Sequence, residues 1–285
     1  MRVLVLGATG MLGSAVFKVL SSDPALSVIG TVRNAKAIEG FDPAVRGNLV
    51  AGVDVLDQDS LITAFGQSKP DVVVNCVGLI KQLSSAKDPL STLPINAMLP
   101  HRLAKLCALV GSRLIHISTD CVFSGRKGMY EEQDVSDAED LYGKSKFIGE
   151  IIDQPHAITL RTSIIGHELN SQASLVDWFL SQSGTVKGYS KAIFSGLPTV
   201  ELARVIRDFV IPQPALHGLY HVSADPIDKL ELLRQVARIY QKDITIVPDD
   251  QLKIDRSLDS SRFRSATGYE PPQWPELIEA MRAQR

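Results

Sequence analysis

Tyr142 and Lys146 stand one helical turn apart in the run Tyr142-Gly143-Lys144-Ser145-Lys146. On a helix, positions i and i+4 share a face, so this spacing sets a phenol beside an ammonium. An isolated phenol releases its proton only near pH ~10. A neighbouring cation favours the phenolate and brings the group toward the range useful for acid–base work at neutral pH. The expected chemistry is proton transfer to a carbonyl oxygen. The same spacing also describes an ordinary amphipathic helix face, so it needs support from other residues. Ser118-Thr119-Asp120, at the end of an apolar run, supplies a hydroxyl that can bond a carbonyl oxygen and orient the phenol. Asn96 is a candidate for relaying a proton toward Lys146, and equally for a local cap or turn.

A second group lies at the N-terminus. Gly7-Ala8-Thr9-Gly10-Met11-Leu12-Gly13 directly follows a short apolar run and opens a helical stretch. Gly7 permits a tight turn, Gly10 lets a pyrophosphate approach the backbone, and Gly13 lets helix and strand pack closely. The helix N-terminus then faces the phosphates. Gly7, Thr9, Gly10, Met11 and Leu12 are therefore candidates for binding a dinucleotide. The end of the second strand discriminates between cofactors. An acid there would hold the ribose hydroxyls of NAD, but the sequence reads Gly30-Thr31-Val32-Arg33-Asn34. Arg33 can pair with a 2′-phosphate through its planar fork. NADP(H) is the expected cofactor, with NAD(H) open. Cys76, Val77 and Gly78 end the fourth strand, where small residues let a cofactor lie against a sheet.

These groups need a scaffold that gathers them at one edge. Runs at 2–6, 27–32, 49–55, 71–77, 113–118 and 157–165 read as strands, and the first is followed by a helical stretch at 11–20. Continuous apolar strands separated by helices imply a parallel sheet covered on both faces. The expected fold is α/β, a doubly wound parallel Rossmann sheet with a smaller C-terminal substrate lobe. Its ligands would sit at the carboxyl ends of the strands. Residues 1–166 form the expected NADP-binding domain, rejoined by about 195–225, where 218–222 reads as a strand. Residues 167–194 and 226–285 form the expected substrate-binding lobe. Helices are expected at 200–210 and 230–240, and a loop-rich stretch with one short helix at 259–276.

The 285 residues are 45% apolar and 22% charged, with a net charge of −2. This composition excludes wholesale disorder and gives no general attraction to nucleic acid. No apolar run approaches the ~20 residues of a membrane span, and none resembles an export signal, so the cytoplasm is the expected compartment. Cys76, Cys107 and Cys121 form no paired framework, and the six histidines show no metal spacing, so no metal site is expected. No GxSxG elbow supports a serine hydrolase. His116 lies within an apolar strand and reads as a core histidine. Arg161 ends the sixth strand and is read either as a substrate or cofactor contact or as half of a structural ion pair. Trp178 and Phe194 read as core before pocket. Leu141, Phe147, Ile148 and Ile151 make an apolar stripe that suits core or a homodimer interface.

The motifs ATGMLG, STDCVFSG and LYGKSKFIGE, with the spacing between them, resemble the dTDP-4-dehydrorhamnose reductase group of extended short-chain dehydrogenases. The resemblance runs along most of the chain and fades in the C-terminal lobe. It implies that Thr119, Tyr142 and Lys146 are the catalytic triad, with Tyr142 donating the proton and Lys146 also holding the nicotinamide ribose. It places Asp120 beside the substrate and Asp54 and Val55 at the adenine edge. Apart from the resemblance, Arg256 is read as lining a nucleotide-sugar pocket, on the diphosphate. The implied reaction is reduction of the 4-keto group of a nucleotide-linked 6-deoxyhexulose. The rhamnose-forming members carry tyrosine where this chain has Cys121. The dehydratases carry an acidic glutamate there, so dehydration is not expected. An epimerase would retain NAD, against Arg33. The group's relatives also include the regulatory subunit of methionine adenosyltransferase, so a non-catalytic NADP-binding subunit is the other alternative.

Overall fold

The computed structural model describes residues 1–81, 87–169 and 174–284. In chain order the first half forms β1 (Arg2–Leu6), α1 (Met11–Ser21), β2 (Ser27–Val32), β3 (Leu49–Ala51), α2 (Gln58–Ser68), β4 (Val72–Asn75), α3 (Pro89–Thr92), α4 (Leu99–Val110), β5 (Arg113–Thr119) and α5 (Leu141–Ile148). The second half forms β6 (Ala157–Thr162), β7 (Ile164–Ile165), α6 (Leu175–Ser181), β8 (Thr185–Tyr189), β9 (Ala192–Phe194), β10 (Leu197–Pro198) and α7 (Thr199–Val205). It continues with β11 (Gly218–His221), β12 (Ile227–Asp228), α8 (Lys229–Ile239), β13 (Thr245–Asp249), β14 (Ile254–Asp255), α9 (Ser261–Thr267) and α10 (Trp274–Ala283).

The main sheet has seven strands in the order β11-β6-β5-β4-β1-β2-β3. All of its pairings are parallel. The residues explain why it is covered on both faces. In β1, Val3 and Val5 enter one apolar cluster while Leu4 and Leu6 enter another. β4 repeats the division, with Val72 and Val74 on one face and Val73 on the other. Side chains alternate across a strand, so an unbroken apolar run needs helices on both sides. The strand order reverses between β1 and β4, and the crevice at such a switch point is where ligands bind in open α/β sheets. This is the Rossmann arrangement, with a smaller lobe beside it.

Several expected elements are cut shorter. The third strand stops at Ala51, and the fourth at Asn75, whose side chain accepts a bond from Val77 N–H at 3.1 Å and turns the chain out of the sheet. The run at 157–165 breaks at Ser163. β6 belongs to the main sheet, whereas β7 pairs with β10. The strand expected at 218–222 is β11, which joins the edge of the main sheet by pairing with β6. The C-terminal end holds two helices, α9 and α10, rather than one, and α10 starts with a Gln273–Glu276 capping box. Among the described residues, no helix is long and apolar enough to cross a membrane.

Candidate active site at the switch point

The glycine loop leaves β1 at the switch point. Gly7 has a φ of +80°, a conformation open to glycine. A Cβ on Gly13 would lie 2.0 Å from the Gly7 carbonyl oxygen, so this glycine is required by helix–strand packing. Gly10 differs. Its φ is −71°, and a Cβ there would meet only the Gly7 carbonyl at 3.5 Å. No packing within the protein requires glycine at position 10, and the space in front of it is open. The N-terminus of α1 also has no side-chain cap and no acid in its first turn. Free N–H groups facing open space suit a pyrophosphate. The loop therefore fits the cofactor expected from sequence. Thr9 and Met11 are half-buried, whereas the Leu12 side chain lies in the core, leaving its backbone N–H as the group it can offer.

Around the loop, Arg33 is exposed just past the end of β2. Asp54 is exposed, and its carboxylate accepts the Leu56 N–H at 2.9 Å, which shapes the turn that also carries Val55. Cys76, Val77 and Gly78 leave β4 beside Gly7, where a Cβ would come within 2.9 Å of the Val77 side chain. Burial pushes the Cys76 thiol up to about 12, so it stays protonated.

The candidate proton-transfer groups meet at the end of β5. Asp140 caps α5 by accepting the Gly143 N–H at 2.8 Å. Gly143 lets α5 lie directly on the turn after β5, since a Cβ there would fall 2.2 Å from the Cys121 carbonyl oxygen. This close approach sets Tyr142, the neighbour of Gly143, against the turn that follows Thr119, and the Thr119 hydroxyl acts on the phenol. Thr119 Oγ1 also accepts the Cys121 N–H at 3.1 Å and donates to Asp120 Oδ1 at 3.1 Å. Lys146 is 5% exposed, and its Nζ donates to the Ile117 carbonyl at 2.7 Å.

The electrostatics differ from the expectation of a phenol eased toward ionisation by lysine. Burial, with Cys121 and Asp120 nearby, pushes the Tyr142 phenol well up, and the Thr119 hydroxyl pulls against this. Burial also lowers Lys146 to about 8, while Glu150 opposes the fall. Tyr142 is thus a phenol that keeps its proton, and Lys146 is an ammonium held near its point of neutralisation. Burial likewise raises Asp120, with Arg256 and Thr119 opposing, and pushes the Cys121 thiol up to about 12.

Asn96 does not face Lys146 directly. It sits in a π-helical turn, Leu93–Met98, and clamps Leu79 through both its N–H, at 2.9 Å, and its carbonyl, at 3.0 Å. Its amide also donates to Ser145 Oγ at 3.3 Å, tying the loop after β4 to α5. π-turns of this kind recur at functional sites.

Arg161 corrects one reading. It is 2% exposed and makes a two-pronged ion pair with Glu150, at 2.7 and 2.6 Å. Ser118 donates to the same carboxylate at 2.6 Å, and the Arg161 guanidinium lies 5.2 Å from the Phe123 ring centroid. Its guanidinium bonds Glu150 and His221 inside the protein, which is the structural ion pair of the two readings. Its partner Glu150, one turn beyond Lys146 in LYGKSKFIGE, went unnoticed in the sequence although the i, i+4 spacing was visible. Arg256 does reach the site: its Nε donates to the Phe123 carbonyl at 2.8 Å, and Nη1 lies 3.8 Å from Cys121 Sγ. His116 is fully buried and bonds Asn75 at 3.1 Å, as a core histidine would. Phe194 is core, against Trp274, whereas Trp178 is 40% exposed. Phe147 and Ile148 are exposed, and Ile151 is buried.

A cavity of about 900 Å³ lies elsewhere, along the outer flank of α1 between Met11 and Ser22 and against His167 and Asp177. None of Thr119, Tyr142 and Lys146 lines it.

The RmlD substrate binding domain model matches residues 1–284. Methionine adenosyltransferase 2 subunit beta of Danio rerio is 31% identical over 248 residues, 83% of this chain and 73% of that protein. The dTDP-4-dehydrorhamnose reductase of Clostridium acetobutylicum superposes with a TM-score of 0.80 at 22% identity, over 100% of this chain and 99% of the other. The Bacillus anthracis dTDP-4-dehydrorhamnose reductase in complex with NADP does so at 0.80 and 21% identity, over 99% of each chain. At such identities the superpositions speak for the fold, while the family match spans nearly every residue. The chain belongs to the RmlD substrate binding domain family.

Proposed function

We propose that this chain is an NADPH-dependent reductase of the 4-keto group of a nucleotide-linked 6-deoxyhexulose. The observation that carries the reading is the meeting of Thr119, Tyr142 and Lys146 at the carboxyl end of β5, beside a glycine loop with open space before Gly10. When bound, NADPH supplies the hydride that reduces the ketone carbon. Tyr142 gives its proton to the ketone oxygen, Thr119 bonds that oxygen and aligns the phenol, and solvent later restores the proton. A phenol that burial keeps protonated suits a proton donor better than a base. Lys146 supports the developing phenolate by its charge and holds the nicotinamide ribose.

Gly7, Thr9, Gly10, Met11 and Leu12 would hold the pyrophosphate. Arg33 would take the 2′-phosphate, Asp54 and Val55 the adenine edge, and Cys76, Val77 and Gly78 the flank of the cofactor. Asp120 and Arg256 would contact the sugar nucleotide. Residues 1–166, with the return near 195–225, serve the cofactor in this reading, and 167–194 with 226–285 serve the sugar. Cys121, whose thiol burial pushes up to about 12, is no acid for expelling a hydroxyl, which argues against dehydration. The test is NADPH oxidation with dTDP- and UDP-linked 4-keto-6-deoxyhexoses. Conversion without net NADPH consumption would favour an epimerase instead.

One observation favours a second reading, a non-catalytic NADP-binding subunit. The identity to methionine adenosyltransferase 2 subunit beta, 31%, exceeds the 22% and 21% to the two reductase structures. NADPH binding with no turnover across the sugar panel would select it.

A further inference from the structure

Ser118, Arg161 and His221 stand in register on three neighbouring strands, β5, β6 and β11. Register partners share a face of the sheet, so the three side chains form one row across its carboxyl end. All three are buried. Glu150, buried just past the end of α5, lies on this row. One of its carboxylate oxygens accepts the Ser118 hydroxyl at 2.6 Å and Arg161 Nε at 2.7 Å, and the other accepts Arg161 Nη2 at 2.6 Å. His221 Nδ1 meets the Tyr130 carbonyl at 3.0 Å. A carbonyl only accepts, so Nδ1 carries the proton and Nε2 takes the bond from Arg161 Nη1 at 3.3 Å.

An ion pair would need only Glu150 and Arg161. The Ser118 hydroxyl adds a link from that pair to the strand end that carries Thr119. Side chains alternate along a strand, so this link lies on the face opposite the Thr119 hydroxyl. One residue before Ser118, the Ile117 carbonyl accepts Lys146 Nζ. Lys146 and Glu150 are four residues apart, so α5 and its extension grip two consecutive residues at the end of β5. The start of the helix is fixed separately, where Gly143 sits on the Cys121 carbonyl. Bonds to a carboxylate are shorter and stronger than neutral ones, which makes the Glu150 link a firm one.

We propose that Glu150 is a positioning residue: through the Ser118 hydroxyl it holds the end of β5, and with it Thr119, in place against α5, which carries Tyr142 and Lys146. The proposal rests on the reading of Thr119, Tyr142 and Lys146 as the proton-transfer groups. It gives one carboxylate two tasks. Pairing with Arg161 serves the fold, and holding Ser118 serves the reaction.

NADPH oxidation with dTDP- and UDP-linked 4-keto-6-deoxyhexoses is measured on the full chain for wild type, Ser118→Ala, Glu150→Ala and Glu150→Gln, at a temperature where melts show each to be folded. Ser118→Ala is decisive, because it cuts the link and leaves the ion pair whole. It should lower kcat and kcat/KM together by roughly 10- to 100-fold, the cost of misplacing a reacting group, with NADPH affinity unchanged. Glu150→Gln keeps an oxygen for Ser118 and should turn over faster than Glu150→Ala, although both lack the charge that pairs with Arg161. If either Glu150 variant fails to fold, Ser118→Ala decides alone. Wild-type kcat in Ser118→Ala, or Glu150→Gln no faster than Glu150→Ala, overturns the proposal and leaves the reductase reading standing. Wild type oxidising no NADPH with any of these sugars overturns both.

Discussion

Lys146 Nζ donates to the Ile117 carbonyl at 2.7 Å, joining the last turn of α5 to the strand that ends in Thr119. The bond fixes the ammonium under the site but gives it little solvent, and burial lowers the lysine to about 8. Reductase activity should therefore hold on the acid side and fall as pH rises through about 8, because the neutral amine no longer supports the tyrosine. Tyr142, whose proton affinity burial raises, stays protonated over this range. A profile of kcat/KM that stays level to pH 10 would show that the Lys146 charge is not needed.

The same lysine links activity to stability. Its proton is bound less tightly in the folded chain than at the usual value of 10.5. Between about 8 and 10.5 the unfolded chain carries more protons, so this group's contribution to stability rises with pH across that window. Below it the buried charge is a steady cost. Lys146→Met should remove that cost and raise Tm at pH 7 by about 2–4 °C, while abolishing turnover. A lower Tm in the variant would show that the Ile117 bond and Glu150 outweigh burial.

Gly10 and Gly13 should respond in opposite ways to the same added methyl group. Gly13→Ala drives a Cβ to 2.0 Å from the Gly7 carbonyl oxygen and should destabilise the fold by roughly 1–3 kcal/mol or more. Gly10→Ala meets only one atom, at 3.5 Å, and should leave Tm nearly unchanged while weakening NADPH binding at least about tenfold. Denaturant melts and cofactor titrations on both variants separate these roles, and undiminished NADPH binding by Gly10→Ala would place the cofactor elsewhere.

Glu150 and Arg161 are both 3% exposed at their side chains and bind each other by two prongs. Glu150→Ala leaves a buried guanidinium without its carboxylate and should cost about 3–5 kcal/mol in urea unfolding. Replacing both, as in Glu150→Leu with Arg161→Met, should cost less than the single change. A single-variant loss below ~1 kcal/mol would mean that water or His221 takes over the pairing.

Tyr142, Lys146, Thr119 and the glycine loop were legible because local spacing states their geometry: a helical turn, a strand end, a strand-to-helix loop. The main strands were legible because burial on both faces leaves unbroken apolar runs, as in β1 and β4. What escaped depends on distant contacts. β8 and β13 pair although they lie in different parts of the chain, and β13 is largely exposed, so neither carries a strong apolar signal. The break at Ser163 comes from β7 joining a second sheet, not from a local breaker. Arg161 gave no sign of which charge it meets, since Glu150, just past α5, reaches it only in the folded chain.

The central claim is that Tyr142 delivers the proton in a net NADPH-consuming reduction, and the most direct measurement is steady-state NADPH oxidation by wild type and Tyr142→Phe with a dTDP- or UDP-linked 4-keto-6-deoxyhexose. The account predicts stoichiometric oxidation by wild type and a rate roughly 10²–10⁴-fold lower in the variant, with NADPH affinity and Tm close to wild type. Equal rates in the two proteins, or no oxidation by wild type while NADPH binds, would contradict it.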